Sequence, residues 1–472
     1  MFVQQFFVKG IAHSSYLLGG VKTCAIIDPR RDIQIYLDAA KEMNLKITHI
    51  LETHLHADFI SGHLELAEKT GAAIYAPKKG RCSFKHTGVS EGSTFALEDM
   101  KITVFETPGH TPEHVSYVVT DLSRGADPVA VFCGDTLFVG DVGRPDLFPK
   151  IAQELAAKLY GSLHEKLLTL PPYCEVYPAH GAGSLCGRAM GAKRTSTIGY
   201  EKKYNAALKI NNKPAFITSL TTSMPPAPDH FSRCSAVNGK GPVLVRKLPA
   251  LEPLEPGQFS KRAKQKNALV LDIRPYGSFS GGHVPGAYHI DFRMNFATFA
   301  GWILPPLAEI LLVAEAPGQA QEAVLWLRRV GLEKIAGYLD GGMYEWAKAA
   351  LPLAHVPLLS AAELYKKIKK GAVLTLVDVR AKREFESSHI RGALNIPVPE
   401  LRTRYRELNP RLPVAVICNT GQRSSLGASI LKQHGFQEVY NAAGGMTAFS
   451  AAGYAGECPV CIGPHGPQLI AK

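Results

Sequence analysis

The stretch THLHADFISGH (53–63) sets His54, His56 and Asp58 at the spacing of a metal-binding loop, with Phe59 where a further ligand is usual. It follows the apolar pattern ITHILE, so its histidines fall in a loop at a strand end. Three more such loops lie downstream. TPGHTPEHVSY (107–117) carries His110, VFCGDTLFVGDVGRPDL (131–147) carries Asp135 directly after an apolar strand, and VYPAHGAGS (176–184) carries His180. A single histidine is more often a core or surface residue than a ligand, but four loops of this kind in one stretch of chain point to a metal centre. A second chemistry is written in VICNTGQRSS, where Cys418 ends a buried strand just before a helix. Backbone N–H groups of a loop and a helix N-terminus lower a thiol pKa and stabilise an attached anionic sulfur. Asn419, Thr420, Gly421 and Gln422 form that cradle and Arg423 is placed to close it.

The elements that must position these residues fall into three domains, as a length of 472 residues suggests. The Pro-rich stretches SMPPAPDH (223–230) and LPALEPLEPG (248–257) mark the end of the first, giving expected domains at 1–245, 246–356 and 357–472. The chain then repeats itself. ALVLDIRPYGSFSGGHVPGAYHI (268–290) aligns with LTLVDVRAKREFESSHIRGALNI (374–396), pairing Asp272 with Asp378, Arg274 with Arg380, His283 with His389 and Gly286 with Gly392. In the last copy, Ser360 and Glu363 make a capping-box signature, LTLVDV and LPVAVI read as strands, and SSLGASILKQHG reads as a helix. Strands alternating with helices indicate a parallel α/β sheet.

The four loops of the first 210 residues resemble the metallo-β-lactamase fold, an αββα sandwich of two facing sheets with outer helices and loop ligands along one edge. In the hydrolases of that superfamily a His at the Phe59 position helps hold a second metal, and phenylalanine coordinates nothing. The remainder resembles the persulfide dioxygenase branch. That resemblance implies one Fe(II) in this domain, bound by His54, His110 and Asp135, with His56 and Asp58 as outer groups that orient ligands or bound water. A two-His, one-carboxylate face suits iron because it leaves positions open for dioxygen and a substrate sulfur, whereas zinc is the plainer occupant of such ligands. The branch needs no ligand from His180, which is kept as an outer or substrate-side residue. Cys186 is a substrate-site candidate because similar fusions carry a cysteine there, against the usual reading of a small buried residue. Arg144 is placed either to hold an anionic substrate group or in a structural salt bridge.

Residues 357–455, with the C-x-x-x-x-R loop at Cys418, resemble a rhodanese, a sulfurtransferase that carries sulfur as a cysteine persulfide. The preceding copy has Glu315 at the cysteine position and Ala320 at the arginine position, and a carboxylate neither carries sulfane sulfur nor attracts an anion. It resembles a degenerate, inactive rhodanese-like domain, so both copies are expected to be α/β folds on parallel sheets. The whole chain resembles a dioxygenase/rhodanese fusion. The implied reaction oxidises low-molecular-weight persulfides with dioxygen to sulfite and passes sulfane sulfur to sulfite, giving thiosulfate. Two alternatives stand beside it, a glyoxalase-like zinc thioester hydrolase and a metal-dependent nuclease of the same superfamily.

Composition bounds these readings. The charge of +12 is spread without a long basic tract interleaved with aromatics, which argues against nucleic acid and favours small anionic substrates. Nine cysteines, an odd number in a long chain, read as free thiols in a reducing compartment. With neither a signal-like start nor a membrane-length apolar run, the expected location is cytoplasmic, away from membranes. A homo-oligomer, dimer or tetramer, is common for this fold family. ECPVCIGPHG (457–466) adds Cys458, Cys461 and His465, half of a zinc site at most.

Overall fold

The structure, a computed structural model, describes residues 1–222, 224–293 and 295–454 and the backbone of 460–462. Cys458 and His465 lie outside the described residues, as does the side chain of Cys461. The chain divides into two compact units, Met1–Leu248 with Arg328–Gly331, and Pro249–Leu327 with Leu332–Lys472.

The first unit holds two six-stranded sheets. In one, the strands Phe2–Val8, His13–Gly19, Thr23–Ile27, Lys46–Leu51, Ala73–Pro77 and Thr87–Val89 lie in chain order. The other runs Ser196–Thr197, Glu175–Pro178, Pro128–Gly134, Val115–Asp121, Met100–Glu106 and Thr94–Leu97. Strands apolar on both faces explain the layering, because successive side chains point to opposite sides. Leu18, Ile27, Val119 and Phe132 belong to a buried cluster between the sheets, with Tyr16, Leu51 and Tyr117. Their neighbours Leu17 and Ile26 pack outward with Tyr36, Ala39 and Leu66 from helices. Val118 and Val131 pack outward on the other side with Leu159, Leu163 and Phe216. The result is the αββα sandwich expected from the sequence.

The second unit contains two five-stranded sheets of the same order. Pro253–Leu254, Ile335–Leu339, Glu309–Val313, Ala268–Asp272 and Tyr288–His289 form one, and Leu358–Leu359, Val439–Ala442, Val414–Ile417, Thr375–Asp378 and Leu394–Asn395 form the other. Every pairing within both is parallel. Ser360 caps the helix Ala361–Lys369 in a full capping box with Glu363. Among the described residues, no helix is long and apolar enough to cross a membrane.

Candidate functional sites

Each loop named above leaves a strand end in the first unit, and three of the four meet at one point. Nε2 of His110 lies 3.3 Å from Oδ2 of Asp135, and Nε2 of His54 lies 3.9 Å from the same oxygen. All three atoms are buried and lack a hydrogen-bond partner. Three orphaned polar atoms facing one another would be costly without a cation to satisfy them.

The opposite edge of each ligand is fixed. Asp28 accepts from the Thr53 hydroxyl at 2.9 Å, so that hydroxyl accepts from His54 Nδ1 at 2.9 Å and leaves Nε2 with its lone pair. His110 Nδ1 donates to the Arg144 carbonyl at 2.9 Å with the same consequence. Burial holds both imidazoles below their usual pKa, in the neutral form that binds metals. Burial would raise the Asp135 carboxyl, but His180 and His110 override it and keep the group ionised. A neutral–neutral–anionic donor set of this kind fits a divalent cation.

His180 is the second half of the site. Its Nδ1 donates to Asp135 Oδ1 at 2.7 Å and its Nε2 to Asp58 Oδ2 at 2.8 Å. Burial alone would lower its pKa, yet the two carboxylates hold it well above the usual value. An imidazolium donating from both nitrogens has no lone pair to offer. Cys186 lies with Asp58 and His180, their ligand atoms close enough to share a cation, and is buried beside Ala57, Phe138 and Phe231, where burial pushes its thiol up.

His56 faces away from the three orphaned atoms, its Nε2 being 3.1 Å from Asp28 Oδ1. Phe59 is fully buried, its ring centroid 4.5 Å from that of His56 and 4.0 Å from that of His13. Arg144 is buried, and its donors go to Asp146, at 2.7 Å from both Nε and Nη2, and to the carbonyls of Leu185 and Pro225. Its guanidinium is therefore spent on the fold, which is the salt-bridge alternative, while its carbonyl orients His110.

Several site residues escaped sequence reasoning. His114 accepts from the Asp135 N–H at 2.9 Å and stacks on His54 at 4.8 Å. Asn238 donates to the carbonyls of His56 and Phe59, both at 2.8 Å, and so pins the loop from a helix far along the chain. Asp28, Glu52 and His56 form a buried cluster beneath the ligands, and burial raises the Glu52 carboxyl to about 8. His114 stands inside a motif already singled out; Asp28 and Asn238 carry no local signal.

In the second unit Cys418 directly follows the strand Val414–Ile417 and precedes the helix Gln422–Gln433. Gly421, at φ +95°, turns its N–H onto the Cys418 sulfur at 3.2 Å, and the Ser424 hydroxyl lies 3.3 Å from the same atom. Asn441 braces the loop, donating to the Gly421 carbonyl at 3.0 Å and accepting from Ser424 at 2.6 Å. Asn419 accepts from Arg380 at 3.2 Å. Thr420 donates to Gln422 at 3.4 Å, away from the sulfur. Arg423 is aimed elsewhere than at the sulfur: both of its terminal nitrogens donate to Glu384 at 2.7 Å.

An αββα sandwich presenting such a ligand face belongs to one class of metal proteins, and a cysteine loop on a parallel sheet belongs to a class of sulfur carriers. The chain is a member of the metallo-β-lactamase superfamily, matched over residues 8–180, and carries two rhodanese-like domains, matched over 255–349 and 360–452. It is 32% identical over 202 residues to persulfide dioxygenase ETHE1, mitochondrial, of Mus musculus, covering 41% of this chain and 73% of that one. It is 30% identical over 238 residues to the hydroxyacylglutathione hydrolase of Shewanella halifaxensis, covering 49% and 85%. A solved structure described as a metallo-β-lactamase from Staphylococcus aureus superposes with a TM-score of 0.65 at 36% identity, covering 71% of this chain and 98% of that one.

Proposed function

We propose that the protein is an Fe(II)-dependent persulfide dioxygenase joined to a sulfurtransferase. The observation that carries this reading is the convergence of the orphaned nitrogens of His54 and His110 with Asp135 Oδ2, with Phe59 in place of a ligand on the loop of His54. Those three residues would hold one Fe(II), which when bound supplies the one-electron chemistry that lets dioxygen react with a sulfur anion. The chain's own residues do the rest. Thr53 and the Arg144 carbonyl keep both ligand imidazoles in the right tautomer. His180 holds a proton between Asp135 and Asp58, and Phe59 packs its ring against His13. Cys186, beside Asp58 and His180, is taken as the substrate-side thiol. The net reaction is RSSH plus dioxygen and water giving RSH and sulfite.

Cys418 then takes the outer sulfur of a second persulfide, and sulfite attacks that sulfur to release thiosulfate and the Cys418 thiolate. Tethering keeps the sulfite near its sulfur donor by effective concentration. The partners are therefore small persulfides, dioxygen, sulfite and thiosulfate, handled by a homo-oligomer in the reducing cytoplasm. Free thiols at the described cysteines support that compartment.

Similarity to a hydroxyacylglutathione hydrolase favours a second reading, a thioester hydrolase using metal-bound hydroxide. Phe59 weighs against it, because a phenyl ring offers no lone pair to a second metal. Oxygen uptake by Fe(II)-loaded protein given glutathione persulfide, with sulfite and thiosulfate quantified, separates the two. Uptake in both wild type and Cys418→Ser, with thiosulfate from the first and sulfite from the second, is the expected result. Absence of iron-dependent uptake, with thioester hydrolysis instead, would sink the dioxygenase reading.

A further inference from the structure

Spacing along the sequence aims Arg423 at an anion above Cys418, but the fold gives that guanidinium a carboxylate of its own. Besides the two bonds from Arg423, Glu384 accepts from Asn419 Nδ2 at 2.9 Å and from the Ala381 N–H at 3.1 Å. Glu384 comes from the short helix Lys382–Ser387, so the cradle's edge is built from two separated segments. Neither side chain is sealed, Arg423 being 22% and Glu384 33% exposed. The pair thus sits where small anions reach it, unlike the neighbouring Asp378–Arg380 pair, which is buried.

The internal repeat shows what kind of pair this is. The degenerate copy retains Asp272 and Arg274 in the same bonded geometry as Asp378 and Arg380, at 2.6 Å in both. At the positions of Glu384 and Arg423 it has Ser278 and Ala320, so both partners are missing together. A scaffold pair would be kept in a copy that keeps its fold; this pair goes with the cysteine.

We propose that Glu384 is a specificity-determining residue of the Cys418 site, a competing carboxylate that occupies Arg423 and sets the preference between anionic and uncharged sulfur acceptors. The inference rests on the sulfurtransferase reading of this domain. Arg423 alone would offer sulfite a bidentate fork and a full positive charge. With Glu384 in place the fork is filled and the charge locally cancelled, so sulfite must displace a carboxylate before it gains the arginine. An uncharged thiol meets no such competition. In either transfer the acceptor sulfur forms a bond to the outer sulfur of the Cys418 persulfide while the Cys418 S–S bond breaks. The bonding pair leaves on the Cys418 thiolate, so no external oxidant or reductant enters.

The test charges Cys418 in the full chain with inorganic polysulfide, removes the excess and follows discharge by sulfite and by β-mercaptoethanol. Glu384→Gln should raise the sulfite-to-thiol preference, read as the ratio of second-order rate constants, by about tenfold. Glu384→Asp, which keeps the charge on a shorter arm, should leave that ratio near the wild-type value, and the double variant Glu384→Gln/Arg423→Gln should lose the gain. An unchanged ratio in Glu384→Gln, or an equal rise in Glu384→Asp, overturns the proposal and makes Glu384 a loop brace. Wild-type protein that takes no sulfur from polysulfide at all would instead remove the transferase reading on which the proposal stands.

Discussion

The two rhodanese-like copies share one sheet order and one Asp–Arg–His scaffold yet differ at the loop of Cys418 and at the carboxylate that faces it. In each, the arginine donates through its backbone N–H and side chain to the aspartate two residues earlier, and the histidine Nδ1 donates to a carbonyl four residues earlier, at 2.8 Å. These bonds hold the turn that follows the strand ending in that aspartate. The loops that follow the next strand diverge: Cys418 is buried with a backbone donor on its sulfur, whereas Glu315 is exposed and its carboxylate accepts from Ser278 at 3.4 Å. On the proposed function, folding and sulfur transfer would therefore be carried by different residues, with one copy keeping the first without the second.

The largest effect should come from Cys418→Ser. Sulfur transfer to sulfite should fall to background while the metal content of the first unit is unchanged, measured by thiosulfate formation and elemental analysis. Loss of bound metal in that variant would break the separation. Next comes the shared scaffold. Asp272→Ala and Asp378→Ala each strand a buried arginine, so each should cost about 3 kcal/mol in urea unfolding. A much smaller cost in the degenerate copy would mean that its scaffold is vestigial too.

Much of this was legible in the sequence because the signals are local. Histidine and aspartate loops after apolar strands, the repeat and the Ser360–Glu363 cap need only a few consecutive residues to be read, and each appears where expected. The partners of those residues were not legible, since they come from distant segments. Glu384 reaches Arg423 across 39 positions, and Asp58 reaches His180 across 122. Sequence spacing alone places Arg423 over the sulfur, because nothing near residue 423 announces a carboxylate. The same gap hides the two carboxylates, Asp135 and Asp58, that hold His180.

A smaller effect tests whether the degenerate copy helps the active one. The ring of Tyr276, from the degenerate copy, lies so near the cradle that a Cβ on Gly421 would meet its Cζ at 3.0 Å. The His289 N–H donates to Ser429 of the active copy at 3.1 Å. Tyr276→Ala should slow transfer on the order of tenfold by loosening the loop around Cys418, with little change in the unfolding midpoint. Unaltered kinetics would reduce the degenerate copy to a spacer. A weaker asymmetry concerns acid. Burial would raise the Glu384 carboxyl, but Arg423 overrides it and holds it below the usual 4.5. Its contribution to stability is present above that ordinary value and is lost as pH falls through the depressed one. With Ser278 at the matching position, the degenerate copy has no such term, so Glu384→Gln should flatten the acid limb of unfolding slightly and Ser278→Ala should not.

The smallest expected effect is the most telling. If the copies differed only in their nucleophile, Glu315→Cys in a Cys418→Ser chain would restore some transfer. The loop around Glu315 argues otherwise. Pro317 stands where the active copy has Thr420 and offers no N–H to the cradle. Ala320 is fully buried at the arginine position, leaving no opening for a guanidinium, and Ser278 supplies no carboxylate to steer one. A thiol placed there is exposed and lacks the donors that stabilise a persulfide anion. It should react with iodoacetamide as an ordinary surface cysteine, retain no added sulfur by mass spectrometry after polysulfide treatment, and form no thiosulfate. Measurable transfer from that variant would show that the parallel α/β scaffold by itself suffices to make a sulfur carrier of any cysteine at the strand end, and that the cradle tunes the reaction without enabling it.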